Sequence, residues 1–149
     1  SFYFFKVRDP YSKLKAVSDR EKVELILAEH KLEVEVVNSP QSRAQGLSNR
    51  QSLGSDGMLF VLDNRRTPSF WMKQMKFDLD IIWIDQEKVV DISSNVPAPD
   101  AQLKIEDLAY YQPKQPVEMV LEVKAGKLDV AIGDQLKLAN KPKNYFNIW

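Results

Sequence analysis

Leu79-Asp80-Ile81-Ile82-Trp83-Ile84 is the stretch on which the fold turns. In an extended chain Leu79, Ile81 and Trp83 project to one side, and Asp80, Ile82 and Ile84 to the other. Both faces are apolar but for one carboxylate, so this strand belongs inside a sheet covered on both sides. Working outward, Leu32-Glu33-Val34-Glu35-Val36-Val37 alternates with period two, the mark of a half-buried strand. Residues 23–28 alternate less cleanly, and the short link Glu29-His30-Lys31 predicts a hairpin with His30 solvated at its turn. Further strands are predicted at 58–62, 70–75, 89–92, 117–123 and 135–139, with a turn over 63–68. Ser39-Pro40 is a helix-start pair, so a short helix or helical loop should run to about Asn49. Another short helix is expected between Gly126 and Gly133. Pro97, Pro99, Pro113 and Pro116 interrupt any ladder over 95–116, leaving room for one helical turn near 105–110. These elements predict a mainly β domain, a compact β-sandwich or barrel-like fold with short helical insertions.

Composition narrows the function classes. The chain has 149 residues, about the length of one domain. Lys plus Arg and Asp plus Glu both number 21, a balance that argues against nucleic acid as the partner. There is no cysteine, which removes thiol nucleophiles, disulfides and thiolate metal sites. With His30 the only histidine, a multi-histidine metal centre is excluded. The glycines are scattered and form no phosphate-cradling loop. No apolar run reaches the roughly 18 residues that span a bilayer.

Three regions are expected: an N-terminal arm or linker over 1–22, a single domain over 23–140, and a basic, aromatic tail over 141–149. Phe2-Tyr3-Phe4-Phe5, followed by Lys6 and Arg8, reads as the remnant of a longer apolar anchor or signal segment. That reading places the domain outside the cytoplasm, tethered to a membrane.

Arg43-Ala44-Gln45-Gly46-Leu47, Gly57-Met58-Leu59-Phe60, Phe70-Trp71-Met72-Lys73, Leu79-Asp80-Ile81-Ile82-Trp83-Ile84-Asp85, Leu121-Glu122-Val123 and Gly133-Asp134 follow one another in an order and spacing that resemble the DUF192 family. The likeness covers about residues 24–138. It implies a compact β-rich domain and, in many members, an N-terminal membrane anchor or export signal. It implies no activity. Two positions depart from the usual pattern: Gln74-Met75 stand where Asn-Thr is common, and Asp78 where proline is common.

Candidate site residues follow from the chemistry. Asp80 lies within an apolar strand, and an unpaired buried carboxylate is costly. It must be bound by Lys73, Arg43 or Arg50, or by backbone amides, or be neutral. Glu122 is a second acid between apolar neighbours, and with Asp80 it is the candidate for a hydrolytic carboxylate pair. Trp71 and Lys73 should share a strand face, offering an aromatic wall and a cation for a small ligand. Met58, Met72 and Met75 are core filling, with a soft-metal site as the alternative; no cofactor is expected. The leading expectation is a monomeric, non-enzymatic binding or accessory module. Its site is built by Arg43, Trp71, Lys73, Asp80 and Glu122, and its partner is a small ligand or a protein. The alternatives are a hydrolase using Asp80 and Glu122, and an interaction domain without a pocket.

Overall fold

The computed structural model describes residues 9–139. Seven strands form one curled sheet, a half-barrel, in the order β6-β5-β8-β3-β2-β1-β9. They are β1 (Lys22–Leu27), β2 (His30–Val37), β3 (Gly57–Arg66), β5 (Leu79–Asp85), β6 (Lys88–Val96), β8 (Val117–Lys124) and β9 (Leu136–Leu138). All neighbours are antiparallel except β2 and β3. A two-stranded ribbon pairs β4 (Phe70–Trp71) with β7 (Tyr110–Tyr111). Among the described residues two helices complete the frame, α1 (Pro10–Ala16) and α2 (Pro40–Gln45), with a single 3-10 turn at Ile105–Asp107.

The expected mainly β architecture is what the chain forms. Every residue of β5 is buried, as its two apolar faces require. One face of the sheet carries Leu25, Val34, Val36, Leu59, Ile82, Ile84 and Leu121. The other carries Met58, Phe60, Leu79, Ile81, Trp83 and Val120. The curl is held where the edges approach: the Gly133 amide donates to the Val89 carbonyl at 2.8 Å and the Leu136 amide to the Glu87 carbonyl at 2.8 Å.

Several local expectations are corrected. The hairpin turn is Ala28-Glu29, with Ala28 at φ 53°, and His30 is the first residue of β2, paired with Leu27. Residues 11–20, read from their polar sequence as a linker or one short helix, begin in the helix Pro10–Ala16. α1 packs Tyr11 and Leu14 onto the first face, followed by Val17, and the Tyr11 hydroxyl donates to the Leu62 carbonyl at 2.6 Å. β3 continues to Arg66 through the expected turn, because a register shift lets Arg66 pair with Val117. Only Phe70 and Trp71 of 70–75 are strand. Gln74 at φ 58° then turns the chain, which lays Met72 and Met75 on the second face. Residues 126–133 form no helix; Gly126 and Gly133 have φ of 79° and 97°, which suit turns. The 1–8 arm and the 140–149 tail, with the proposed anchor remnant, lie outside the described residues.

Candidate functional site

α2 sets one wall of the site. Ser39 caps it by accepting from the Ser42 amide at 3.1 Å, and Pro40 occupies the first turn. Asp19 braces the same end by accepting from the hydroxyls of Ser39 and Ser42 at 2.9 and 2.7 Å. The helix ends at Gly46, whose φ of 50° redirects the chain over the Phe60 ring; a Cβ there would lie 3.3 Å from that ring. β4 forms the opposite wall with Phe70 and Trp71. The Phe70 ring meets Phe60 and Trp83 edge-on, at centroid distances of 4.9 and 5.4 Å.

Between these walls lies a cleft of about 150 Å³, bordered by Arg43, Gly46, Leu47, Ser48, Phe60, Phe70, Trp71 and Met75, with Glu122 of β8 among its lining residues. Glu122 sits in register between Met58 and Ile81 on the second face. It is 5 % exposed. Its carboxyl makes no hydrogen bond or ion pair among the described residues. Yet no fully enclosed side-chain oxygen or nitrogen there lacks a partner, so this carboxyl meets solvent through the cleft. Burial pushes its pKa from 4.5 up to about 8. The backbone beside it is tightly set: a Cβ on Gly57 would stand 2.8 Å from the Glu122 carbonyl oxygen, so glycine there lets β3 approach β8.

Arg43 borders the same cleft but is already engaged. Its Nη2 lies 2.9 Å from Asp63 Oδ2, and its Nη1 donates to the Val61 carbonyl at 3.1 Å. Trp71, 38 % exposed, stacks on Tyr110 with centroids 5.6 Å apart, and Lys73 Nζ stands 5.3 Å over the Trp71 ring. Lys73 itself faces a separate groove against the 98–108 excursion.

Thus the structure brings Arg43, Trp71 and Glu122 together, sets Lys73 at the rim and places Asp80 elsewhere. Asp80 pairs in register with Val123 and shares the face of Ile82 and Ile84, whereas Glu122 pairs with Ile81 on the other face. The sheet separates the two acids, so they cannot flank one bond as a hydrolytic pair. None of the three proposed cations holds Asp80. The Asn95 amide donates to its Oδ1 at 2.8 Å and the Gly126 amide to its Oδ2 at 3.0 Å. Met58, Met72 and Met75 are buried among aliphatic and aromatic side chains of the second face.

Sequence reasoning missed Gly46, Leu47, Ser48, Phe60, Phe70 and Met75 as cleft residues. Gly46 after a helix start was the one usable signal, since a helix end is where a wall can open.

The chain belongs to the DUF192 family, described as Uncharacterized ACR, whose profile matches residues 23–138. No curated protein matches it. Among solved structures it is similar to a protein of Sinorhizobium meliloti 1021 provisionally described as a transcription regulator. That match has 35% identity and a TM-score of 0.65, and covers 80% of this chain and 93% of that one. It is also similar to a protein of unknown function from Novosphingobium aromaticivorans DSM 12444. There the identity is 26% and the TM-score 0.68, with 82% and 89% of the two chains covered.

Proposed function

We propose that the protein is a non-enzymatic binding module that seats a small ligand in the cleft over Glu122. One observation carries this reading: a carboxyl nine-tenths buried, without a partner, opens into an aromatic-lined recess. A folded chain gains nothing from such a group by itself, since desolvation without compensation costs stability. Groups of this kind collect at sites, where a bound molecule supplies the missing partner. The displacement of Asp80 to the other face removes the hydrolase alternative's second acid and favours binding over chemistry.

A small-fragment screen read by two-dimensional amide NMR tests the reading. Binders should shift the Gly46, Leu47 and Ser48 amides and the Trp71 indole, and Glu122→Gln should abolish or alter those shifts. Fragments that perturb only other surfaces would overturn it. We also propose an extracytoplasmic, membrane-tethered setting, supported by the Phe2-Tyr3-Phe4-Phe5 run. Fractionation of the full-length gene product tests it, and recovery in the soluble cytosolic fraction would overturn it.

A further inference from the structure

The charges around the cleft indicate what it takes. Arg43 is neutralised by Asp63, with a second contact from Nη1 to Oδ1 at 3.4 Å beside the 2.9 Å pair. Glu35 lies in the same cross-strand row as Glu122, with Met58 between them. It is held by Arg50 at 2.8 and 3.0 Å and by Arg20 at 3.1 Å. Glu122 alone in this group has no countercharge. An anionic ligand would approach that carboxyl with the charge of Arg43 already countered by Asp63. A neutral ligand would leave the carboxyl protonated up to about pH 8, and desolvated and charged above it. A cation restores the balance, and an ammonium adds up to three donors for charge-assisted bonds to the carboxylate.

Size and lining complete the description. About 150 Å³ is the volume of a cavity that holds a benzene-sized molecule. Leu47, Phe60, Phe70 and Met75 make much of the wall apolar. Granting that the cleft is a binding site, we infer that its ligand is a primary ammonium with a compact apolar body, the ammonium on Glu122 and the body against Leu47, Phe60 and Phe70. Such a group is carried by free organic amines and by the lysine side chain of a partner.

The test titrates the chain at about pH 8.5, where the Glu122 carboxyl is ionised and an alkylammonium keeps its proton, with benzylamine, benzyl alcohol and benzoate, which share one body and differ in charge, and with Nα-acetyl-lysine amide. Amide NMR reports on Gly46 and Ser48 and on the Trp71 indole. Benzylamine or the lysine derivative should bind there roughly 10- to 100-fold more tightly than benzyl alcohol, the worth of one charge-assisted contact. The tighter of the two cations identifies the source as free amine or lysine. Glu122→Gln should erase that preference; its amide dispersion verifies that it is folded. Trp71→Ala, a change at a half-exposed wall residue, should weaken cation binding without unfolding the chain. Equal or tighter binding of benzyl alcohol or benzoate in this cleft would overturn the inference while the binding-site reading stands. Cation binding unaffected by Glu122→Gln would overturn the inference as well. Silence from all four probes and from the fragment screen would overturn both.

Discussion

Glu35 and Glu122 occupy one cross-strand row of one sheet face, two strands apart, with Met58 between them. Both are under a tenth exposed. Glu35 receives two bonds from Arg50 and one from Arg20, and these hold its carboxyl below the ordinary range against the opposing effect of burial. Glu122 receives none, and burial alone drives it up. The fold thus has the means to compensate a carboxylate at this depth, and in this row it uses them at Glu35 and not at Glu122. The compensated acid ties the 47–53 segment and the chain after α1 to β2, which is a structural task. The uncompensated one opens into a recess, which is where a ligand would complete it.

The largest expected effect tests the Glu122 side of this contrast through pH. Below its ordinary pKa the carboxyl is protonated in both folded and unfolded chains. Between there and about 8 the folded chain keeps a proton that the unfolded chain has released, so stability falls as pH rises across that window. Glu122→Gln mimics the protonated form and removes the dependence. At pH 9 it should exceed the native chain by roughly 3–4 kcal/mol, the shift at about 1.4 kcal/mol per unit with a discount for solvent in the cleft. At pH 4 the two should coincide. Urea unfolding at both values measures this; equal stability at pH 9 would break the contrast.

Glu35→Gln should act in the opposite direction. A carboxyl whose pKa is lowered on folding contributes stability above its ordinary range, lost as pH falls through its folded value. At pH 7 the change should cost about 2–3 kcal/mol, because Arg50 loses its bidentate partner while remaining only partly exposed. Near pH 2 the difference from the native chain should shrink. A loss independent of pH would show that packing, not charge, dominates there.

Asp80 is a third way of keeping a carboxylate at this depth, on the opposite face and with backbone amides as its donors. Asp80→Asn retains the shape but turns one oxygen into an amino group facing an N–H. A loss of about 1–2 kcal/mol is expected, read by thermal unfolding. Ligand binding in the Glu122 cleft should be unchanged, because the sheet lies between.

Much of this was legible in the sequence, for reasons that can be stated. Period-two alternation in 32–37 and apolarity on both faces of 79–84 reflect burial directly, so β2 and β5 were readable. Asp80 was recognised as requiring a partner from its neighbours alone. Its actual donors are main-chain amides from the β6 bulge region and the Gly126 turn, brought together by pairings between distant segments. Side-chain identities carry no record of such donors. Residues 70–75 misled for a related reason. Their β-prone composition is satisfied by two residues of ribbon and by burial of Met72 and Met75 beyond a left-handed Gln74. The separation of Asp80 from Glu122 depends on the register Asp80 to Val123, which no local pattern encodes.

The smallest expected effect on stability concerns the wall that distinguishes Glu122's surroundings from Glu35's. Trp71 is 38 % exposed, and its contacts are the stack on Tyr110, itself 61 % exposed, and the Lys73 ammonium. At this exposure the stack and the cation–π contact each contribute about 0.5 kcal/mol, the low end of their range. Trp71→Ala should therefore cost about 1 kcal/mol or less in urea unfolding. A tryptophan kept for structure would behave otherwise: Trp83, wholly buried with its Nε1 donating to Ser93 Oγ at 3.0 Å, should cost about 3–5 kcal/mol on truncation. For the cleft the order reverses, since Trp71 borders the recess and Trp83 lies beneath it. Loss of benzylamine binding in a Trp71→Ala chain of near-native stability would separate the two roles. A cost above about 3 kcal/mol at Trp71 would instead make this wall part of the core, and the cleft a by-product of packing.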